Sequence, residues 1–227
     1  EHGFNSISSY DDWKKNVPIR DYEGFNSYIK KIISGEKNVL WPGTPIYFCK
    51  TSGTTSGTKY IPISKESMPN HIRAAQEAIL YYIAETGDSS VVDGKMIFLQ
   101  GSPVLTKTGK ILTGRLSGIV AHHVPKYLTK NRLPSFETNC IEDWEKKVDN
   151  IVEETINENM SIISGIPPWV QMYFEKLYAK TNTKIGDLFP DFNLFIYGGV
   201  NFQPYKESFK KLIGKNISGV ELYPASE

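Results

Sequence analysis

The stretch IYFCKTSGTTSGTKYIPIS, residues 46–64, decides the fold that we predict for the first half of this chain. Short apolar runs at 46–49 and 59–63 flank eight consecutive residues no larger than threonine, Thr51 to Thr58. Small residues add little to a core, and each glycine costs about 0.5–1 kcal/mol relative to alanine because it leaves the unfolded chain freer. We therefore predict two short strands, the second at a sheet edge because it contains Pro62, joined by a loop that serves a ligand.

The loop between the two predicted strands is suited to bind an anion. Gly53 and Gly57 permit backbone turns that other residues resist, so successive N–H groups can converge into an anion-binding nest. Lys59 adds a full positive charge beside them. A polyphosphate is the ligand that this combination favours. Further donors are the hydroxyl groups of Thr51, Ser52, Thr54, Thr55 and Ser56.

The spacing of the loop differs from two widespread phosphate-binding patterns. The Walker pattern G-x-x-x-x-G-K-[ST], counted from Gly53, requires glycine at 58 and serine or threonine at 60, where this chain has Thr58 and Tyr60. The dinucleotide pattern G-x-G-x-x-G does not fit the loop either. A flexible surface linker is the alternative, but a linker does not normally lie between two apolar strands.

The rest of the sequence predicts an α/β fold. Because strand and helix alternate through the second half, we predict a mainly parallel sheet flanked by helices. A polar, glycine-rich passage without a predicted element runs from Gly101 to Arg115. Apolar periodicity predicts helices from Asp21 to Gly35, over 65–86, from Trp144 to Ile156, from Pro168 onward and from Pro204 to Gly214. The predicted strands of the second half are KMIFLQG, MSIISG, NLFIYGG and the start of SGVELYPASE.

The ends of these predicted strands are small or polar. In open α/β sheets, ligands bind outside the carboxyl ends of the strands. This chain has Gly165, Gly198–Gly199 and Ala225–Ser226 at those places. We expect these small residues to let a ligand approach the backbone.

The composition argues against several classes of function. The 227 residues carry a net charge of only +1, which offers no electrostatic attraction to nucleic acid or to an anionic membrane. No apolar run approaches the ~20 residues that cross a bilayer, and no secretory signal is visible at the start. Cys49 and Cys140 match no metal or redox spacing, which favours two buried thiols. We therefore expect a cytoplasmic protein that binds neither nucleic acid nor a membrane.

Several motifs along the chain resemble those of one enzyme family. The loop resembles the phosphate-binding signature of adenylate-forming enzymes, [ST]-S-G-[ST]-[ST]-x-G-x-x-K, with the lysine slightly shifted. Within that superfamily, SGEKNVLWPGTPIYFCKTSGTTSGTKYIPIS, SGIPPWV and IYGGVNFQPY look like the Gretchen Hagen (auxin-responsive promoter) acyl-acid amido synthetases. The final ELYPASE is similar to the second nucleotide motif of that family, Tyr-x-x-Ser-Glu.

The resemblance implies roles for particular residues. Lys59 and Glu227 would be catalytic, and Glu227 would also hold Mg²⁺. Tyr223 would lie beside the adenine of ATP, and Ser226 would contact the α-phosphate. Residues that would hold the phosphates are Ser52, Gly53, Thr54, Thr55, Ser56 and Gly57, and residues that would lie against the adenine and the acyl group are Gly198, Gly199 and Val200.

The resemblance also implies an activity and a domain. A carboxylic acid would attack the α-phosphate of ATP, giving acyl-AMP and pyrophosphate, and an amino acid or another amine would then displace AMP. Residues 1–227 would form an incomplete N-terminal adenylation domain, with the phosphate loop at 51–59, the second motif at 223–227 and no C-terminal domain. We expect this portion alone to be inactive. The alternatives are an acyl-CoA ligase of the same superfamily and a non-catalytic nucleotide-binding module.

Two further groups of residues carry a structural interpretation. His122 and His123 are adjacent, and on a strand they would face opposite ways and could not share a metal ion. We expect a packed or solvent-facing pair, with a place beside the acyl pocket as the alternative. Trp169, Met172 and Tyr173 are expected in the core rather than in a substrate wall.

Overall fold

The computed structural model describes residues 3–51, 57–124, 129–223 and 225–226, and it confirms the predicted α/β class. Its described strands are β1 (Tyr47–Thr51), β2 (Lys59–Ile63), β3 (Lys95–Leu99), β4 (Thr106–Thr108), β5 (Ile111–Gly114), β6 (Arg132–Leu133), β7 (Met160–Gly165), β8 (Leu194–Gly198) and β9 (Ser218–Leu222). Its described α-helices are α1 (Tyr10–Asn16), α2 (Asn26–Ile33), α3 (Met68–Thr86), α4 (Leu116–Ala121), α5 (Phe136–Cys140), α6 (Trp144–Thr155), α7 (Pro167–Thr181), α8 (Ile185–Leu188) and α9 (Lys206–Ile213).

The second half of the chain forms the predicted parallel sheet. Its strands lie in the order β6-β3-β7-β8-β9, and every neighbouring pair is parallel. The register pairs Gly165 with Tyr197 and Gly198 with Leu222. The carboxyl ends of β7, β8 and β9 therefore meet at one edge of the sheet, which is where ligands of open α/β sheets bind.

Helices cover both faces of this parallel sheet. Along β7, Ile163 belongs to the core beneath α6, α7 and α9, whereas the preceding Ile162 belongs to the core beneath α3. Successive strand residues point to opposite faces, so one continuous apolar run supplies both cores. Fully burying one such side chain contributes about 1.5–3 kcal/mol. The alternation of apolar strands and amphipathic helices is thus sufficient to specify this layer arrangement.

The first half of the chain contributes a separate, mixed sheet with the strand order β2-β1-β5-β4. β1 is central, because it pairs antiparallel with β2 and parallel with β5. The predicted hairpin and the predicted edge position of the strand with Pro62 are both confirmed. On one face, Ile29 and Ile32 of α2 pack with Phe48 of β1.

The hairpin of β4 and β5 is absent from our sequence interpretation, which left the passage from Gly101 to Arg115 without an element. β4 consists of Thr-Lys-Thr, and two of its three residues are exposed, so it lacks the apolar alternation that marks a strand. Gly109 turns the hairpin with φ +61°, and a Cβ there would lie 2.3 Å from the Ile33 carbonyl oxygen. Pairing with β5 and contact with α2 create this strand, and both are tertiary effects.

The predicted helix boundaries hold to within a few residues. Asp21 Oδ1 accepts a hydrogen bond from Gly24 N at 2.9 Å, as expected of a cap, but a 3₁₀ turn at Glu23–Phe25 comes before α2. α3 ends at Gly87 with φ +71°, and α9 ends at Gly214 with φ +78°. Both glycines adopt the left-handed conformation that ends many helices. Among the described residues, no helix is long and apolar enough to cross a membrane.

Candidate functional site

The hairpin of β1 and β2 holds the two ends of the predicted phosphate loop together. Thr51 pairs with Lys59 as the last pair of the antiparallel ladder, so the loop begins and ends at neighbouring positions. Gly57 has φ +84°, and no atom lies within 4 Å of the place that a Cβ would occupy. The backbone conformation, rather than packing, therefore favours glycine at this position. The loop residues Ser52, Gly53, Thr54, Thr55 and Ser56 lie outside the described residues, so their role remains a prediction.

Lys59 is half-buried at the first position of β2, and its side chain lies over an aromatic ring. Its Nζ lies 5.4 Å from the centroid of the Tyr22 ring. The Tyr22 hydroxyl accepts a hydrogen bond from Tyr60 N at 2.7 Å, which fixes the phenol against the strand. Among the described residues, no carboxylate forms an ion pair with Lys59. Its positive charge is thus not neutralised by a described acidic side chain. Tyr22 lies at the start of a predicted helix, and no pattern in the sequence indicates this contact with Lys59.

The second predicted nucleotide motif follows β9 at the carboxyl edge of the parallel sheet. Tyr223 is 95% exposed, so its ring is accessible to a ligand. Ala225 N donates to the Tyr223 carbonyl oxygen at 3.1 Å, which turns the chain sharply after the strand. Glu227, the predicted metal ligand, lies outside the described residues, and so does Pro224.

A contact between Cys49 and Ser226 brings the two predicted motifs together. The Cys49 thiol donates to Ser226 Oγ with 3.1 Å between sulfur and oxygen, across 177 residues of sequence. Cys49 lies in β1, the strand that leads into the phosphate loop, and Ser226 belongs to Tyr-x-x-Ser-Glu. Because the side chains of these two segments touch, the strand that leads into the loop and the second motif lie next to each other.

The predicted adenine and acyl segment lies beside the second motif. Gly198 is the last residue of β8 and pairs with Leu222, the last residue of β9. Gly199 follows with φ +82°, a left-handed conformation that favours glycine. Val200 is exposed. The structure therefore brings 198–200 and Tyr223 to adjacent strand ends, whereas their contacts with adenine and an acyl group remain predictions.

Gly165 does not have the purpose that we expected from the sequence. A Cβ there would lie 2.9 Å from Leu99 Cβ and 3.0 Å from Val170 Cγ2. Distances this short leave no room for a side chain. Glycine at this strand end therefore allows β3 and α7 to pack closely against β7, rather than providing space for a ligand.

A buried lysine at the carboxyl end of β3 carries no role in the sequence interpretation. Lys147 is only 1% exposed, and its Nζ donates to the carbonyl oxygens of Gln100 at 3.0 Å and Asn139 at 2.6 Å. Burial lowers the pKa of Lys147 to about 8, and the nearby Cys140 partly opposes this shift. In the sequence, Lys147 stands next to the apolar Val148 of the predicted helix. Because lysine side chains on helices are ordinarily solvated, no pattern in the sequence indicates that Lys147 is buried.

The two adjacent histidines form hydrogen bonds with different residues of the chain. They follow α4 in a turn and not on a strand, since α4 ends at Ala121. His122 Nε2 lies 2.8 Å from the Pro103 carbonyl oxygen, to which it donates, and His123 Nε2 lies 3.0 Å from the Tyr47 hydroxyl. Among the described residues, no group of three or more His, Cys, Asp or Glu side chains could hold a metal ion.

Of the three residues of α7 that we expected in the core, Tyr173 lies in it, Met172 packs against it and Trp169 is half-buried. Tyr173 is fully buried, and Met172 packs against the same core. Trp169 stacks on Trp144 of α6 with ring centroids 4.3 Å apart. Burial raises the pKa of Tyr173, whose hydroxyl pairs with Thr155 at 2.7 Å. These residues join α7 to α6.

Comparison with known proteins gives related sequences and structures. Over 63 residues, the chain is 41% identical to the indole-3-acetic acid-amido synthetase GH3.15 of Arabidopsis thaliana, a match that covers 27% of this chain and 11% of that protein. A solved GH3.15 acyl acid amido synthetase in complex with 2,4-DB has a TM-score of 0.68 at 14% identity, covering 96% of this chain and 47% of the other. A second GH3.15 structure has a TM-score of 0.64, also at 14% identity, with 98% and 48% covered.

These matches agree on fold and family. The solved relatives share the fold of nearly the whole described chain, although the chain spans only about half of their length. Residues 1–135 match the family model described as the GH3 family N-terminal domain. That match includes β1, the phosphate loop and β2, and it covers more than half of the 227 residues. The chain therefore belongs to the GH3 family.

Proposed function

We propose that this chain is part of the N-terminal adenylation domain of an ATP-dependent ligase. The ligase activates a carboxylic acid as acyl-AMP and transfers the acyl group to an amino acid or another amine. Membership of the GH3 family supports the proposal, and so do the names of the relatives, which are amido synthetases. The proposed location is the cytoplasm, a reducing compartment that suits Cys49 and Cys140, which form no disulfide with each other.

The contact between Cys49 Sγ and Ser226 Oγ is the observation that carries this proposal. An adenylating site needs one group of residues for the β- and γ-phosphates and another for the α-phosphate and the nucleoside. Cys49 lies two residues before the end of β1, which leads into the loop proposed for the first task, and Ser226 lies in the motif proposed for the second. Their separation of 3.1 Å supports a single site formed by both motifs.

The residues around this contact suit nucleotidyl transfer. In the proposed first step, a carboxylate oxygen bonds to the α-phosphorus of ATP while the bond from that phosphorus to the bridging oxygen breaks, and pyrophosphate leaves. Such a step needs positioning and neutralisation of charge more than covalent help from the protein. Lys59, without an ion-pair partner among the described residues, would bind phosphate oxygens. Backbone N–H groups of residues 52–57 would do the same.

The donor set is compatible with Mg²⁺ bound mainly through the nucleotide. Mg²⁺ commonly uses one or two carboxylates together with phosphate oxygens and water, so Glu227 alone would suffice as the protein ligand. Lys59, which has no ion-pair partner in the part of the chain that the structure describes, and the Ser226 hydroxyl fit a region that accepts phosphate rather than a protein-only metal cage. When bound, the ion would neutralise charge on the triphosphate.

The second proposed step completes the amide. The nitrogen of the neutral amine bonds to the acyl carbon of acyl-AMP and loses a proton to solvent, while the bond between the acyl carbon and the phosphate oxygen breaks and AMP leaves. The substrates of this chain are proposed only as classes, a carboxylic acid and an amine. The matches to GH3.15 are named an indole-3-acetic acid-amido synthetase and an acyl acid amido synthetase, and these names support an acid as the first substrate.

Pyrophosphate exchange on the full-length protein tests this function. With ATP, Mg²⁺ and a panel of carboxylic acids, we expect acid-dependent exchange of labelled pyrophosphate into ATP. Release of AMP is then measured with amino acids and, separately, with coenzyme A. AMP release with amino acids supports an amido synthetase, whereas release with coenzyme A alone identifies an acyl-CoA ligase. ATP binding without exchange for any acid would contradict the proposal and leave a nucleotide-binding module.

A further inference from the structure

A short loop between α2 and β1 presents a tryptophan at the surface. Asn38 and Gly43 close this loop, because Asn38 N donates to the Gly43 carbonyl oxygen at 2.9 Å and Gly43 N donates to Asn38 Oδ1 at 2.7 Å. Between these two residues lie Leu40 and Trp41, which are 38% and 58% exposed. The bonded ends of the loop thus hold two large apolar side chains in contact with solvent.

Trp41 and its loop line a cavity of about 460 Å³. Other parts of the lining are Ile32 of α2, Pro62 of β2 and Asn70 of α3. The walls are therefore mainly apolar, with a small number of polar groups among them. A cavity of this size and composition is typical of sites that bind small molecules.

The cavity lies at the end of the β1–β2 hairpin away from the predicted phosphate loop. At the loop end Thr51 pairs with Lys59, and at the other end Tyr47 pairs with Ile63. Pro62, which lines the cavity, is three residues beyond Lys59, a distance of about 10 Å along a strand. The cavity is therefore distinct from the site that we propose for ATP.

A single carboxylate sets the charge of this cavity. Glu66 is the only ionisable side chain among the described residues that line it, and Glu66 Oε2 accepts a hydrogen bond from Trp41 Nε1 at 3.1 Å. Hydrogen bonds from its own backbone N–H and from the Ser64 hydroxyl lower the pKa of Glu66, so it is ionised at neutral pH. The adjacent Lys65 does not line the cavity, and no described cation forms an ion pair with Glu66.

From the size, the apolar walls and the charge of the cavity we propose that it binds a small organic amine, an ammonium group carried on an apolar body. The ammonium group lies beside the Glu66 carboxylate and the Trp41 ring, since an aromatic face attracts a cation and the hydrogen bond keeps the two side chains adjacent. The apolar body packs against the proline and leucine side chains. A carboxylic acid of the same shape is repelled by Glu66. The inference does not rest on the proposed function.

Isothermal titration calorimetry of the full-length protein with phenethylamine, without ATP or an acid, tests this site. Glu66→Gln keeps an oxygen that can accept from Trp41 Nε1 but removes the charge, and Trp41→Ala removes the ring. Each variant should raise Kd for phenethylamine about fivefold or more. The matched controls are Glu77→Gln and Trp13→Ala, which change an exposed carboxylate and an exposed indole outside the cavity and should leave Kd unchanged.

Two further probes isolate the charge of the ligand. The neutral 2-phenylethanol has the same body as phenethylamine and should bind about fivefold more weakly, and the anionic 3-phenylpropionate should bind more weakly still. Equal affinity of the amine and the alcohol would overturn the inference. Wild-type affinity for the amine in Glu66→Gln, or no binding of the amine up to about 10 mM, would overturn it as well.

Trp41→Phe covers the case in which Trp41→Ala does not fold. It retains an aromatic face and should bind phenethylamine within about threefold of wild type. The titration is independent of pyrophosphate exchange. Absence of amine binding in this cavity therefore leaves the proposed function in place, and absence of exchange leaves this inference in place.

Discussion

Lys59 and Glu227 are the two residues whose charges the proposed chemistry needs most directly. Lys59 is predictable from its place after a small-residue loop, and the structure adds the Tyr22 ring that lies 5.4 Å from its Nζ. The contact that Cys49 makes, in contrast, is not predictable from the sequence. The sequence indicated only a buried thiol, and its contact with Ser226 joins residues 177 positions apart. No local pattern encodes such a contact, because it depends on how two sheets come together.

The substitution Lys59→Ala should weaken ATP binding by about tenfold or more, since hydrogen bonds to charged groups contribute roughly 1.5–3 kcal/mol. Isothermal titration calorimetry with ATP on the full-length protein measures this change. Lys211→Ala is the matched control, because Lys211 is an exposed lysine on α9, a helix that packs on the parallel sheet. Unchanged affinity in Lys59→Ala would remove this residue from the phosphate site.

The substitution Glu227→Ala should abolish most acid-dependent pyrophosphate exchange, because the nucleotide-bound Mg²⁺ would lose its proposed protein ligand. The matched control is Glu221→Ala, which removes an exposed carboxylate in β9, six residues earlier. The control should exchange at the wild-type rate. Wild-type exchange in Glu227→Ala would show that the metal is held elsewhere.

Strand ends and helix ends are the elements that position the site. The parallel strands β7 and β8 are predictable because each is an apolar run followed by a helical pattern or a small residue. The purpose of Gly165 was not predictable. Because Gly165 has no side chain, Leu99 and Val170 can pack against it. The order of strands in the sheet determines which residues lie beside a strand end, and the sequence alone does not give that order. The polar strand β4 escaped prediction for a similar reason.

At the junction of β3, β7 and α7, Gly165→Ala should lower the free energy of unfolding by about 1–3 kcal/mol, because the added methyl group overlaps Leu99 and Val170. Urea denaturation monitored by circular dichroism measures the change. Ser164→Ala, next to it in β7, adds no volume and serves as the control. If Gly165→Ala is as stable as wild type, space at this strand end is available to a ligand after all.

Lys147 joins β3 to α5 and α6, and it should give the protein a distinctive pH dependence of stability. Its pKa is lowered by burial from 10.5 to about 8. Below about pH 8, Lys147 is charged in the folded and in the unfolded protein, so the full cost of burying the charge lowers the free energy of unfolding. As the pH rises above about 8, the folded protein releases the proton before the unfolded protein does, and this cost disappears. The free energy of unfolding should therefore rise by up to about 1.4 kcal/mol per pH unit between about pH 8 and 10, relative to Lys147→Met.

Urea denaturation of wild type and Lys147→Met across this range measures the difference. Subtracting the two curves removes the contribution of the other titrating groups. If the difference in the free energy of unfolding between the two proteins stays constant with pH, the pKa of Lys147 is not lowered by burial.

At the scale of the whole molecule, the described chain consists of a mixed sheet that carries the phosphate loop and a parallel sheet that carries the second motif. The sequence predicted the parallel sheet and the flanking helices, and the resemblance to a family indicated which residues to combine. It did not reveal that the loop and the motif belong to different sheets. Under the proposed function, a nucleotide would bind where the two sheets meet, near the described contact of Cys49 with Ser226.

A crystal structure of the full-length protein with a non-hydrolysable ATP analogue tests this arrangement most directly. We expect the β- and γ-phosphates to lie against the backbone N–H groups of residues 52–57 and Lys59 Nζ, with Ser226 Oγ within hydrogen-bonding distance of the α-phosphate. A triphosphate bound at another surface, with the hairpin of β1 and β2 making no contact to it, would contradict the account.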